Sequence, residues 1–137
     1  RIPRTIEIDG YLAHRARLDL QIASTGFSMS AFLRFAQLAK KADVIVENFR
    51  MEVKYRLGVD YESVKKENPK IFICGHSHIL KIEFDKINNV LYLNPGAAGR
   101  HGFHKKRTMI RFEINEDKIE NMEVIELGNR SKLPQSI

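Results

Sequence analysis

The sequence predicts an α/β fold. Strands and helices alternate in the N-terminal half, with parallel strands, and β-hairpins occupy the C-terminal half on a shared sheet. Three observations predict this. Up to residue 69, short apolar runs alternate with stretches of helical spacing. From His78 onward only period-two segments joined by turn residues remain. Between them, in Lys70-Ile-Phe-Ile-Cys74, lies a short apolar run after Lys70, which reads as a buried strand.

Each element has its own signal. Arg4 to Asp9 alternates apolar and polar residues and reads as a strand. Arg17 to Gln21 is a weaker strand signal, and Ser24-Thr-Gly-Phe-Ser28 breaks the pattern. Ser28 or Ser30 caps a helix to about Ala42, with Phe32, Phe35, Ala36 and Ala39 on one face. Asp43 to Glu47 reads as a short buried strand, and Tyr55 to Leu57 as a helical turn ending at Gly58. Asp60 caps a helix from Tyr61 to about Asn68, which Pro69 stops. Strand–helix–strand order of this kind implies parallel pairing with helical crossovers. Ile79 to Phe84 and Val90 to Leu93 then form a hairpin around the turn Asp85 to Asn89. Thr108 to Ile114 and Ile119 to Leu127 form a second hairpin around Asn115 to Lys118, and the tail after Gly128 is polar.

Length and composition bound the function. A chain of 137 residues holds one domain, or two very small ones. The net charge of +6 divides evenly. Residues 1–69 carry twelve Lys/Arg against nine Asp/Glu, and the remainder carry eleven against eight. Neither half is a basic arm, so nucleic acid is not the expected partner, whereas phosphates and other small anions remain so. No apolar run approaches the ~20 residues of a membrane span, and Arg1-Ile-Pro-Arg4 does not open a signal peptide. The lone Cys74 makes no internal disulfide, which points to a reducing, cytoplasmic setting.

The most specific chemistry sits in Cys74-Gly-His-Ser-His78. Gly75 lets the chain turn sharply at the end of a strand. His76 and His78 then lie on a loop at a strand's carboxyl end, where open α/β sheets place their sites. Neutral imidazoles there suit Mn, Fe, Zn or Ni. Two imidazoles do not complete a metal site, and on spacing alone a pair of solvated loop histidines reads equally well. His101 and His104, in the basic loop Arg100 to Arg107, would add ligands if that loop folds toward His76. Cys74 reads as a buried strand residue rather than a nucleophile.

Residues 69–130 resemble the C-terminal part of the calcineurin-like metallophosphoesterases, in their small bacterial and archaeal phosphodiesterase branch. Gly75-His76-Ser77-His78 is similar to that family's Gly-His-x-His block, and Asn94-Pro95-Gly96 to its Asn-Pro-Gly block. The resemblance implies that His76 and His78 each ligate one of two divalent metal ions. Gly75, Ser77, Asn94 and Gly96 would support the loop. Such a metal pair activates a water and polarises a phosphoryl oxygen. The family's Asp-x-His, Gly-Asp and Gly-Asn blocks are absent from residues 1–74. Asp9, Gly10 and His14 come nearest, at the wrong spacing, while Asp43 and Glu47 flank a strand expected to neighbour Lys70 to Cys74.

Residues 12–70 resemble a different family, the class III CoA-transferases of the formyl-CoA and carnitine-CoA group. The resemblance rests on Leu18 to Leu20, Ala31 to Arg34, Lys41 to Arg50, Arg56 to Tyr61 and Asn68 to Lys70. It implies that Asn48 and Phe49 line a CoA site. Met51-Glu52 stands where that family has Pro-Gly, and its catalytic aspartate lies beyond the match, so neither transferase activity nor bound CoA is expected. Arg4 to Ala39 also loosely resembles a ribbon–helix–helix repressor, but Glu7 would then face DNA.

The chain thus reads as a junction of two family segments at one strand. Residues 1–69 form a CoA-transferase-like segment, 70–130 a phosphoesterase-like segment and 131–137 a tail, together one compact unit. The expected function is metal-dependent hydrolysis of a phosphodiester or phosphomonoester, with most ligand blocks missing. The alternatives are a non-catalytic chimeric scaffold or binding module, as the retromer subunit of this fold is in its family, and a CoA-transferase fragment. The expected partners are a phosphate ester or a protein, with self-association open.

Overall fold

The structure is a computed structural model that describes residues 4–8 and 29–131. Its elements are β1 (Arg4–Ile8), α1 (Met29–Ala39), β2 (Val44–Glu47), α2 (Met51–Leu57), α3 (Tyr61–Val64) and a 3-10 turn (Lys65–Glu67). Strands β3 (Ile71–Cys74), β4 (Leu80–Asp85), β5 (Val90–Pro95), β6 (Lys106–Asn115) and β7 (Lys118–Asn129) follow. The strand expected over Arg17–Gln21, the breaker at Ser24–Ser28, Asp9, Gly10 and His14, and all but the first residue of the tail lie outside the described residues.

The α/β class holds. Parallel strands β2, β3 and β5 and the antiparallel β4 make one mixed sheet in the order β2-β3-β5-β4. The first hairpin therefore shares a sheet with the N-terminal strands, as expected. The second lies outside that mixed sheet: β6 and β7 form a separate antiparallel sheet with the N-terminal β1, in the order β1-β6-β7. Alternation tells which face of a strand is buried but not which sheet it joins. Because β1 pairs with β6 inside the chain, it is not the intermolecular strand of a ribbon–helix–helix dimer.

The middle strand β3 of the mixed sheet is buried on both faces, whereas β4 at its edge is exposed. Phe72, Cys74 and Val90 point to a core shared with Phe35, Ala39, Leu57, Val59 and Val64 of the helical layer. Ile71, Ile73 and Leu93 point to a second core closed by Ile110 and Phe112 of β6. This double burial is why β3 carries no polar residue. The helices stop where their chemistry says they should. Gly58 takes a left-handed φ of 63° and its N–H meets the carbonyls of Lys54 and Tyr55. The Asp60 carboxylate accepts the Ser63 N–H at 3.2 Å, capping α3. Asn68, at φ 53°, ends the 3-10 turn before Pro69. Among the described residues no helix is long and apolar enough to cross a membrane.

Candidate functional site

Parallel pairing of β2, β3 and β5 brings their carboxyl ends together. Glu47, Gly75 and Asn94 to Gly96 therefore meet at one edge of the sheet, the usual place for a site in an open α/β sheet. The Gly75 N–H continues the ladder by donating to the Glu47 carbonyl at 3.1 Å. A Cβ on Gly75 would lie 2.3 Å from Asn48 Oδ1, so a larger residue there would displace the Asn48 side chain.

The loop that follows is held in an uncommon shape. His76 and His78 both have positive φ, 66° and 58°. Each left-handed non-glycine residue costs roughly 1 kcal/mol, so the surroundings must hold them there. Asn94 does this: its Nδ2 donates to Ser77 Oγ at 2.8 Å and to Cys74 Sγ at 3.5 Å, and its Oδ1 accepts the Gly96 N–H at 3.1 Å. Gly96 is left-handed too, at φ 76°, and a Cβ there would lie 2.1 Å from Thr108 Oγ1. That hydroxyl donates to the Pro95 carbonyl at 2.8 Å and so ties the turn to β6. Gly75, Ser77, Asn94 and Gly96 thus form one connected brace beneath the two histidines.

The loop after β5 does fold toward this brace. The rings of His78 and His104 meet edge to face with centroids 5.1 Å apart. Gly102 makes room for them, since a Cβ there would lie 2.1 Å from His78 Nδ1. His104 Nε2 meets the Gly99 carbonyl at 2.9 Å. A carbonyl only accepts, so Nε2 carries a proton there, and Nδ1 is the other ring nitrogen. That Nδ1 is buried and has no hydrogen-bond partner. Burial, reinforced by the charges of His104 and His76, pushes the His78 pKa below the usual histidine value. His76 and His101 are exposed.

The two candidate carboxylates flank β2, which pairs with β3 as expected, and lie at its opposite ends. Asp43 lies at the opposite end of β2 and pairs at the surface with Lys70 at 3.4 Å. Glu47 is buried beside the loop. Its carboxylate accepts the Phe49 N–H at 3.0 Å and the Lys54 ammonium at 3.3 Å. Burial raises its pKa; the Phe49 N–H, Lys54 and His76 oppose that rise. Asn48 and Phe49 serve internal contacts here, Asn48 against Gly75 and Phe49 against the helical core. Cys74 Sγ lies 2.8 Å from Tyr92 Oη, and burial first of all raises its thiol pKa, as expected of an inert strand cysteine.

Imidazole donors suit a late transition metal, and the buried Nδ1 of His104 is the kind of atom such an ion would satisfy. The set is nevertheless short. Among the described residues no three His, Cys, Asp or Glu side chains come together. They do not complete a metal centre, and no metal-dependent step follows from them.

The histidine loop and the buried Glu47 carboxylate thus lie at the carboxyl ends of the parallel strands of an α/β fold. Comparison with known proteins gives that fold a family: the chain belongs to the calcineurin-like phosphoesterase superfamily, whose domain matches residues 20–117. The match begins well before residue 69 and overlaps the CoA-transferase-like stretch. Curated relatives match only in pieces. D-rhamnosyltransferase WbpZ of Pseudomonas aeruginosa is 53% identical over 47 residues, 34% of this chain and 12% of that protein. An acetyl-CoA:oxalate CoA-transferase of Acetobacter aceti is 44% identical over 43 residues, 31% of this chain and 11% of that protein. The chain therefore spans about a tenth of the length of these relatives. A predicted phosphoesterase of Streptococcus pneumoniae aligns with a TM-score of 0.39 at 22% identity, over 57% of this chain and 42% of that one.

Proposed function

We propose that this chain is a phosphoesterase-type module that engages a phosphodiester or phosphomonoester at the Gly75–His78 loop. His76 and His78 are its metal-ligating residues, with His104 beside them. The observation that carries the reading is the strained loop. Two histidines sit in left-handed backbone and Asn94 braces them from the next strand. Strain held in place by a dedicated polar brace is characteristic of a site rather than of a solvated turn. The further donors of a hydrolytic centre would come from outside the described residues. Hydrolysis of bis-p-nitrophenyl phosphate with added Mn or Zn is the test. Metal-dependent turnover that falls at least tenfold in His78→Ala supports the reading; turnover unchanged in that variant overturns it.

A second reading, a non-catalytic binding module of the same descent, is favoured by one observation. The described residues bring no third metal donor to the loop. That reading expects a cooperatively folded protein with no metal-dependent turnover.

A further inference from the structure

The free edge of the mixed sheet carries a self-complementary code. Among the described residues β4 pairs on one side only, with β5. Its apolar residues Leu80, Ile82 and Phe84 oppose Pro95, Leu93 and Leu91 across the ladder. They stay 38%, 42% and 52% exposed. The other face of β4 carries Lys81 and Glu83, joined by a 2.5 Å ion pair, with Lys81 over the Tyr92 ring.

We propose that two copies of this chain join through antiparallel β4–β4 pairing centred on Ile82, making one continuous sheet across a twofold axis. The register follows from the residues. A parallel pairing in register puts Lys81 against Lys81 and Glu83 against Glu83. An antiparallel pairing shifted by one residue sets apolar side chains opposite charged ones. A shift of two about the axis places Lys81 on Lys81 or Glu83 on Glu83. Centred on Ile82, the pairing sets Lys81 against Glu83 of the partner twice, Leu80 against Phe84 twice, and Ile82 against itself. Like charges directly opposite are unfavourable and opposite charges favourable, so this register is selected. It also satisfies the open edge and closes it as an isologous dimer rather than a filament.

This inference is independent of the phosphoester reading, because no metal, substrate or histidine enters its test. Light scattering after size exclusion should give twice the 15.9 kDa chain mass at micromolar concentration. Two symmetry-related cross-strand pairs turn repulsive in Lys81→Glu, which weakens the dimer about tenfold or more. The Lys81→Glu/Glu83→Lys double variant restores it. Both residues are exposed, and circular dichroism checks that each variant is folded. For the register, Ile82→Cys cross-links to itself on oxidation. Leu80→Cys and Phe84→Cys cross-link only when the two are mixed. A monomeric parent, or cross-links that report another register, would overturn the proposal.

Discussion

Asp85 shows how much one side chain decides locally. It accepts the Tyr61 hydroxyl at 2.6 Å, the Ile87 and Asn88 N–H groups at 2.9 and 3.0 Å, and the Asn88 amide at 2.7 Å. The Tyr61 hydroxyl first, then Asn88, hold its pKa well below the usual value of 3.8. A depressed carboxylate gives stability that is present above 3.8 and is lost as pH falls below it. Asp85→Asn should therefore lower the melting temperature at neutral pH, and the gap to the parent should close on acidification. A gap independent of pH would contradict the assignment. Glu47 runs the other way. Its raised pKa favours the protonated folded state, so its own contribution grows as pH falls, and a variant at Asp85 leaves that trend in place. At this scale the histidine loop and the Asn94–Gly96 turn were legible, because glycine, proline and asparagine punctuate a chain unambiguously. The approach of His104 to His78 was open in the sequence, since no periodicity governs how a long loop returns. The tie from Thr108 was not legible at all. A threonine inside an alternating strand gives no sign that it braces a turn on another sheet.

Elements were legible to the extent that burial leaves a period. β2, β3, β4 and β5 fall where apolar runs and alternation place them, each within one or two residues. α2 begins four residues before the expected turn because Arg50, which precedes it, offers no side-chain cap to mark the start. The assignment of β6 and β7 to a second sheet was hidden, because their partner β1 lies about a hundred residues away in sequence. Yet β6 closes the inter-sheet core: Ile110 and Phe112 are fully buried against Ile71, Ile73 and Leu93. Removing a buried ring leaves a cavity, so Phe112→Ala should cost about 3–5 kcal/mol in urea unfolding. A loss below about 1 kcal/mol would mean that the two sheets do not share a core.

At the scale of the whole molecule, the division expected near residue 69 falls inside continuous structure. β2 precedes it, β3 follows it, and the two pair in parallel over four residues. The loop of interest hangs from this joint. Gly75 is bonded to Glu47 on one side, and Asn94 reaches Ser77 from the other. Two segments of different resemblance thus supply one sheet, and its carboxyl edge holds the histidines whatever donors complete them. The family to which the chain belongs was legible from two short blocks after residue 74. Short matches to two CoA-transferases accord with the resemblance read in residues 12–70, but each covers only about a tenth of the matched protein.

We propose above that His76 and His78 form the metal-ligating part of a phosphoester site. Metal content per folded chain tests it most directly, by mass spectrometry after Mn and Zn loading, beside the His76→Ala/His78→Ala double variant. The account predicts stoichiometric metal in the parent and none in a folded double variant. A folded parent without metal, or a variant that retains it, would contradict the claim.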